Sequence, residues 1–334
     1  MSKMSTDLTR HALNGPTMGT RWSALFFAAR GVDPAPVQTA LQAAVDDVDH
    51  QMSTWNPDSA LMRLNAAPVD RWWPVPAHLM TVLQLGLQIG KDSNGAFDIA
   101  MGDTVTAWGF GPSDADPTAI RALLDQPRRP AHELLEIDPT AGLVRKRAPI
   151  ALDLNGIAKG YGTDRLAETL ATFDITAALV GIDGEMRAIG LRPSGTPWTI
   201  AVEKPDPDRR TPQSILSLTN AAVATSGDYR HWVTVQGRQL SHTMDPGRGA
   251  PLLASPASVT VIARTCAQAD AWATALMVRG AKTGAEMARQ NGLDALFLTR
   301  ADDGTVNSMG IGPLFGHTNP GGNTPALAPT GLTP

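Results

Sequence analysis

Residues 151–190, ALDLNGIAKGYGTDRLAETLATFDITAALVGIDGEMRAIG, are the stretch that decides the fold. Apolar residues run into Asn155-Gly156, a helical pattern follows, and residues 175–180 are again apolar. The stretch therefore predicts a strand, a turn, a helix and a second strand. The start of the helix faces a carboxylate, Asp153, and a cation, Lys159. Because N–H groups at a helix start attract anionic oxygens, the turn is the expected place of the chemistry. An ordinary crossover with a surface lysine is the alternative.

The composition is that of a folded protein. With 334 residues, 43% of them hydrophobic and 18% charged, the chain can bury a core as one large domain or two modest ones. Its net charge is −4 with mixed signs, so no basic stripe favours nucleic acid or an anionic membrane surface. The one cysteine, Cys266, can form neither an internal disulfide nor a zinc–thiolate site, and a packed thiol is expected.

The two ends of the chain differ from its middle. Residues 1–16 are expected to be a polar arm, since they contain neither an apolar stretch of signal-peptide length nor a cysteine for lipid attachment. No segment reaches the length of a membrane span, so we expect no stable membrane insertion and a cytoplasmic location. The alternative is a periplasmic protein whose export signal lies upstream of this start. Residues 316–334 are rich in Gly, Pro and Thr and are expected to be a disordered tail, which leaves 17–315 as the domain.

Two segments before the central stretch are candidates for ligand contacts. Trp55 follows an amphipathic helix that begins at Val37, and it is either a core or lid aromatic or a platform for a planar ring. Residues 98–112, DIAMGDTVTAWGFGP, contain glycines at 102, 109 and 111, which suit a loop where backbone approaches a ligand closely. A glycine-rich connector without a function is the alternative.

Two further groups of residues follow the central stretch. His242 and Asp245 come after a predicted hairpin at 231–242, where they can form an acid–base pair, an anion site or an ordinary surface hydrogen bond. Asp270 and Thr274 are one turn apart on a predicted helix, so their oxygens share a face. Mg²⁺ prefers such hard oxygen ligands and fills its other positions with phosphate oxygens and water. The same spacing is also common on ordinary helices.

Seven motifs in this order resemble those of the ApbE-like flavin transferases, which move FMN from FAD onto a threonine or serine of a target protein. They cover about residues 17–300 and are MGT at 18–20, STWNPDS at 53–59, GAFDI at 95–99, DLNGIAKGYGTD at 153–164, TSGDYR at 225–230, HTMDP at 242–246 and ADAWATAL at 269–276. The resemblance implies an α/β fold of the mixed α+β kind: a single ApbE-like domain of mixed strands and helices, not a doubly wound Rossmann fold.

The resemblance also implies the residues of the site. Those expected to line the FAD site are Met18, Trp55, Ala96, Phe97, Asp98, Asp153, Lys159 and Thr243. Mg²⁺ is expected on the side chains of Asp270 and Thr274 and on the backbone carbonyl of Gly156. His242 and Asp245 fall in the family's His–Asp loop, beside the reacting diphosphate.

The predicted function is Mg²⁺-dependent transfer of FMN from FAD to a Thr/Ser hydroxyl of a target flavoprotein, with release of AMP. The expected partners are therefore FAD and an FMN-accepting flavoprotein, not nucleic acid. Two alternatives use the same residues: a FAD pyrophosphatase that yields FMN and AMP, and a non-catalytic FAD-binding protein. His242 is either a general base for the acceptor hydroxyl or a positioning group, and the base role is favoured because Asp245 is close enough in sequence to orient the ring.

Overall fold

A computed structural model of the protein describes residues 8–125, 127–206, 211–228, 232–235, 238–301 and 303–315. The strands are β1 Leu8–Thr17, β2 Thr20–Ala29, β3 Trp72–Pro74, β4 Leu135–Asp138, β5 Leu143–Lys146, β6 Ala178–Ile182, β7 Glu185–Ile189, β8 Trp198–Glu203, β9 Pro212–Leu218, β10 Ala222–Gly227, β11 Trp232–Val235, β12 Arg238–Ser241, β13 Met244–Asp245, β14 Ala250–Pro251, β15 Ser258–Ala263, β16 Asp294–Arg300 and β17 Val306–Ile311. The helices are α1 Ala35–Met52, α2 Ala60–Ala66, α3 Ala77–Asp92, α4 Gly102–Ala107, α5 Pro117–Leu124, α6 Ala131–Leu134, α7 Ala158–Ala171 and α8 Cys266–Gln290. In this part of the chain no helix has both the length and the apolar character that crossing a membrane requires.

An eight-stranded sheet forms the middle of the molecule, in the order β1-β2-β6-β7-β10-β15-β16-β17. Each neighbouring pair of strands in it is antiparallel. A doubly wound fold needs a mostly parallel sheet. The predicted mixed α/β fold is therefore confirmed, and a Rossmann arrangement is excluded.

Different elements cover the two faces of this sheet. Alternate residues of β6 show the division, because Val180 packs into the core formed with α1 and α7 whereas Leu179 lies on the opposite face. That opposite face is covered by the β8–β9 ribbon, whose Trp198 is buried in one cluster with Val223 and Leu296. The helical side also carries α3 and α8, which share the largest apolar cluster. The candidate site lies on this helical side, where α7 meets α8.

The central stretch differs from its prediction at its start. Residues 151–154 lie outside every sheet. The N–H of Asp153 donates to the carbonyl of Ile99 at 2.9 Å, and the side-chain amide of Asn65 hydrogen-bonds both backbone groups of Leu152, at 2.9 and 2.8 Å. Buried backbone groups need partners, and here a loop and a side chain supply them instead of a neighbouring strand. The predicted first strand is therefore wrong, whereas the helix and the following strand are confirmed as α7 and β6.

The predicted polar arm is wrong for residues 8–16, which form most of β1. This strand pairs with β2 over its whole length, from Leu8↔Ala29 to Thr17↔Thr20. The connecting residues Met18 and Gly19 both have positive φ, 44° and 70°, as a two-residue hairpin turn requires. Because β1 is an edge strand with polar exposed positions, its apolar alternation is too weak to read. Residues 1–7 and the predicted tail at 316–334 lie outside the described residues.

The glycine-rich segment 98–112 is only partly a loop, because α4 lies within it. A Cβ at Gly102 would lie 2.8 Å from the carbonyl oxygen of Leu152, so the glycine allows close packing against the extended residues before α7. Gly109 has a φ of +77°, which glycine adopts without strain. These glycines therefore serve packing and a turn inside the protein.

Candidate active site

The site is built on the crossing of α7 and α8. At Gly160 a Cβ would meet the carbonyl oxygen of Cys266 at 2.5 Å, so only glycine permits this approach of the two helices. Asp164 on α7 caps α8, since its two carboxylate oxygens accept from the N–H groups of Cys266 at 2.8 Å and Ala267 at 2.9 Å. Cys266 is fully buried, as predicted for a packed thiol, and burial raises its pKa. The crossing therefore holds the side chains around it in fixed positions.

Asp270 lies at this crossing, on the face of α8 that meets α7. Its Oδ2 accepts a hydrogen bond from the N–H of Gly160 at 3.0 Å, and its side chain is buried. Burial and the negative charge of Glu185 together raise the pKa of Asp270 to about 7, although Lys159 opposes the shift. A cation beside this carboxylate would favour its ionised form. Ionising a buried carboxylate costs free energy, and such groups are common at functional sites, so Asp270 is a candidate functional residue.

The other two predicted metal ligands lie beside each other. A Cβ at Gly156 would be 3.3 Å from Thr274 Oγ1 and 3.2 Å from the ring of Phe97, so the backbone of Gly156 lies directly against Thr274. Thr274 Oγ1 also shares a hydrogen bond of 3.1 Å with Ser226 Oγ. Ser226 lies in the motif at 225–230, and it adds a second hydroxyl oxygen beside that of Thr274.

The available donors fit a hard cation. The predicted ligands are the buried carboxylate of Asp270, the Thr274 hydroxyl one helical turn away and the Gly156 backbone next to Thr274. Within the described residues no group of three or more His, Cys, Asp or Glu side chains could hold a metal ion. A soft transition metal is therefore a poor match, whereas Mg²⁺ takes one or two protein oxygens and completes its octahedron with water and phosphate.

Lys159 supplies the positive charge of the junction. Its Nζ lies 2.9 Å from Glu185 Oε1 and 3.3 Å from Asp183 Oδ2. Burial alone would lower the pKa of Lys159, but Glu185, Asp270 and Asp183 together raise it, so the ammonium stays protonated. Three carboxylates surround one ammonium, and this excess of negative charge suits a divalent cation. Glu185 is a residue of the junction that no sequence motif indicated.

Asp153 lies at the entrance to α7. Its Oδ1 and Oδ2 accept from the backbone N–H and the side-chain amide of Asn155, each at 2.9 Å. Burial raises the pKa of Asp153 to about 6, and the hydrogen bond from Asn155 opposes this. The residue before it, Leu152, is the one held by Asn65 at both backbone groups. Sequence analysis missed Asn65, because nothing in the pattern shows a side chain replacing a strand partner.

The predicted flavin-lining residues 96–98 lie mostly in the core. Ala96 and Phe97 are buried, and the ring of Phe97 packs against Gly156. Asp98 uses its Oδ1 to accept from the N–H groups of Ala100 at 2.9 Å and Ala131 at 3.0 Å. Burial raises the pKa of Asp98, and these two hydrogen bonds oppose the shift. The observed contacts of this motif therefore shape the wall of the site.

Met18 contacts the helix that carries the site, whereas Trp55 is an exposed ring. Met18 lies in the β1–β2 turn, and its Cε would be 3.1 Å from a Cβ at Gly162, so it reaches α7. Trp55 has 64% of its surface exposed. This exposure excludes the core alternative for Trp55 and leaves the lid and the ring platform.

The loop that carries His242 is irregular. His242 is exposed and Thr243 is buried, immediately before the two-residue ladder of β13 and β14. Asp245 Oδ1 accepts from the N–H of Gly247 at 2.9 Å, and the carbonyl of Asp245 accepts from the N–H of Gly249 at 2.9 Å. Asp245 therefore builds the turn as well as standing near His242 in sequence. Residues 229–231 and 236–237 of the predicted motif and hairpin lie outside the described residues.

Fold and site together define the class of protein. The fold is a mixed α/β fold with an antiparallel sheet, and one helix junction in it offers oxygen donors for a cation and a lysine for an anionic ligand. The model of the ApbE family matches residues 18–297. The chain therefore belongs to the ApbE family.

Relatives and solved structures agree with this assignment. The chain is 36% identical over 295 residues to the FAD:protein FMN transferase of Vibrio cholerae, covering 87% of this chain and 88% of the relative. It is 33% identical over 301 residues to the FAD:protein FMN transferase of Klebsiella pneumoniae, covering 89% and 86%. The crystal structure of apo Pseudomonas stutzeri flavinyl transferase ApbE matches with a TM-score of 0.82 and 33% identity, over 93% of this chain and 98% of that one.

Proposed function

We propose that the protein transfers FMN from FAD to a threonine or serine hydroxyl of a target flavoprotein and releases AMP. The observation that carries this is the convergence of Asp270, Thr274, Gly156 and Lys159 on the α7–α8 junction. A pyrophosphate substrate needs charge neutralisation and fixed geometry more than covalent chemistry from the protein. This junction offers both in a rigid setting.

Each residue has a task in this proposal. Bound to Asp270, Thr274 and the Gly156 carbonyl, Mg²⁺ would offset charge on the FAD diphosphate. Lys159, already protonated, binds a diphosphate oxygen. Glu185, buried beside it, keeps the ammonium in place.

In the transfer step one P–O bond forms and one P–O bond breaks. The acceptor oxygen bonds to the phosphorus of the FMN half while the bridging oxygen leaves with AMP, and the hydroxyl proton passes to His242 or to water. The exposure of His242 supports this role, because a protein hydroxyl can approach it from solvent. Trp55, which is 64% exposed, is proposed to stack on a flat ring of FAD.

The test is incubation of the protein with FAD, Mg²⁺ and an FMN-accepting flavoprotein domain. We expect in-gel flavin fluorescence on the acceptor and a mass increase of one FMN. An acceptor whose Thr or Ser is replaced by Val or Ala is the matched control and should stay unlabelled. Absence of an adduct with any accepting domain contradicts the proposal.

FAD hydrolysis is the second candidate, and the exposure of His242 favours it because water as well as an acceptor hydroxyl can reach this side chain. Chromatography of the flavin products without acceptor separates the two reactions. Free FMN and AMP would indicate a pyrophosphatase, and intact FAD bound for hours in the presence of Mg²⁺ would indicate a binding protein.

A further inference from the structure

Two contacts from the segment after the flavin-lining motif meet at one residue of the His242 loop. The first comes from Trp108, which follows α4 and is half-buried. Its indole Nε1–H donates to the carbonyl oxygen of Gly249 at 3.1 Å. Gly249 closes the turn that begins at Asp245, because its N–H donates to the Asp245 carbonyl. Trp108 therefore holds the far end of the loop that carries His242.

The second contact comes from Arg128. Its guanidinium donates to Thr104 Oγ1 and to the carbonyl of Ala100, each at 2.8 Å. It also lies 3.4 Å from Asp103 Oδ1. With the head group fixed in this way, the stem of Arg128 lies against Gly249, where a Cβ would be 3.3 Å from Arg128 Cδ.

Gly249 has little freedom to move between these contacts. It is buried and has a φ of +62°, a conformation that side chains rarely adopt. The next residue, Ala250, pairs with Asp245 in the β13–β14 ladder. A shift of Gly249 would therefore be passed to Asp245 and along β13 towards Thr243 and His242.

We propose that Trp108 and Arg128 are positioning residues that hold the His242–Gly249 loop at the distance from the FAD wall that transfer requires. The proposal rests on the function proposed above. The link is physical: Asp98 fixes the backbone at Ala100, Arg128 binds the Ala100 carbonyl, and the same arginine packs on Gly249. The segment thus connects the wall of the flavin site with the loop that receives the acceptor. A misplacement of about 1 Å can cost on the order of 10²-fold in rate.

The experiment replaces Trp108 with Phe, which keeps a ring and removes the N–H donor. Trp198→Phe is the matched control, since the Trp198 indole also donates to a backbone carbonyl, that of Ile189, at 3.1 Å and on the other face of the sheet. We expect W108F to lower kcat for FMN transfer by roughly 10- to 10²-fold while the Kd for FAD changes less than twofold. Hydrogen exchange of residues 242–252 should accelerate in W108F, and W198F should leave both kcat and this exchange near wild type.

Gly249→Ala provides an independent perturbation if W108F does not fold. It strains the same turn from the opposite side, and we expect the same loss of kcat with unchanged FAD affinity. Equal kcat in W108F, G249A and W198F would overturn the proposal. So would a loss of FAD affinity as large as the loss of kcat, which would place Trp108 in the FAD site. If the wild type transfers no FMN, the proposed function fails, and the exchange rates of residues 242–252 still decide whether Trp108 holds the loop.

Discussion

The α7–α8 junction and the His242 loop are constructed in opposite ways. The junction is buried and close-packed: Gly160 admits the neighbouring helix, Asp164 caps it, and Asp270 is bonded to the backbone of α7. The loop rests on a two-residue ladder, exposes His242, and is held at Gly249 by Trp108. A diphosphate and its cation are the same at each turnover, so a fixed site suits them. A protein acceptor has to enter and leave, so an open loop suits it.

The junction also carries an electrostatic cost. Burial raises the pKa values of Asp270 to about 7 and of Asp153 to about 6. Carboxylates in such places destabilise the folded protein at neutral pH, and proteins retain them where they serve function. The comparison thus predicts that changes at the junction affect Mg²⁺-dependent transfer and the stability of the fold, whereas changes in the loop affect turnover alone.

The largest effect is expected for Asp270→Ala. Removal of this buried carboxylate should lower Mg²⁺-dependent transfer by about 10³-fold or more, because the other proposed ligands, a hydroxyl and a backbone carbonyl, carry no charge. Thr274→Val, which removes a neutral ligand, should lower it less. Turnover is measured at several Mg²⁺ concentrations, with FAD binding measured in EDTA and expected to change little. Near-normal turnover of Asp270→Ala would show that the cation binds elsewhere.

His242→Asn is expected to lower turnover by about 10²-fold while leaving the Kd for FAD unchanged. Asparagine keeps a hydrogen bond but cannot accept the proton of the acceptor hydroxyl. His242→Ala is the comparison, and the base role predicts the same loss in both variants. A substantial recovery of rate in the Asn variant relative to Ala would instead make His242 a positioning group.

Gly160→Ala tests the packing of the junction. The new Cβ would meet backbone at 2.5 Å, and such overpacking typically costs about 1–3 kcal/mol of the free energy of unfolding. Gly184→Ala is the control, because a Cβ there has no neighbour within 4 Å. Denaturant unfolding of both variants gives the comparison. Equal stabilities would mean that the two helices can separate without cost.

Asp153→Asn should stabilise the protein in the absence of Mg²⁺ and FAD. The pKa of Asp153 is about 6 in the folded state, against an ordinary value of 3.8. Between these pH values the folded state therefore binds more protons than the unfolded state. The free energy of unfolding therefore falls as pH rises through this window. At pH 7.5 the variant should be more stable by about 2–3 kcal/mol, at 1.36 kcal/mol per pKa unit.

Asp33→Asn is the control for this change, since exposed Asp33 also accepts an N–H two residues ahead, that of Ala35. It should alter stability little at any pH. Urea unfolding between pH 4 and 7.5 measures both variants. If Asp153→Asn instead lowered the free energy of unfolding at pH 7.5, ionised Asp153 would not destabilise the folded state.

Sequence patterns predicted the helical part of the site well, because helix periodicity and capping are local. The predicted helices are α7, which carries Lys159, and α8, which carries Asp270 and Thr274. The family resemblance then brought Gly156 to the same place, and the structure puts it against Thr274.

The parts that sequence patterns missed depend on distant pairings. The prediction of a polar arm fails at β1, because the alternation of this edge strand is weak and its pairing with β2 is not visible in a local pattern. Residues 151–154 were taken for a strand, because nothing local shows that Asn65, 87 residues earlier, binds Leu152. The approach of Trp108 to Gly249 spans 141 residues. Such contacts follow from tertiary packing and leave no periodic signal.

The central claim is that one site holds FAD rigidly and delivers its FMN half to a protein through an open loop. A single chromatographic run on a reaction with FAD, Mg²⁺ and an FMN-accepting domain tests it, by quantifying AMP, labelled acceptor and free FMN together. We predict that AMP and labelled acceptor appear in equal amounts with little free FMN, and that all three vanish in EDTA. AMP matched by free FMN with unlabelled acceptor, or FAD that stays intact, would contradict the account.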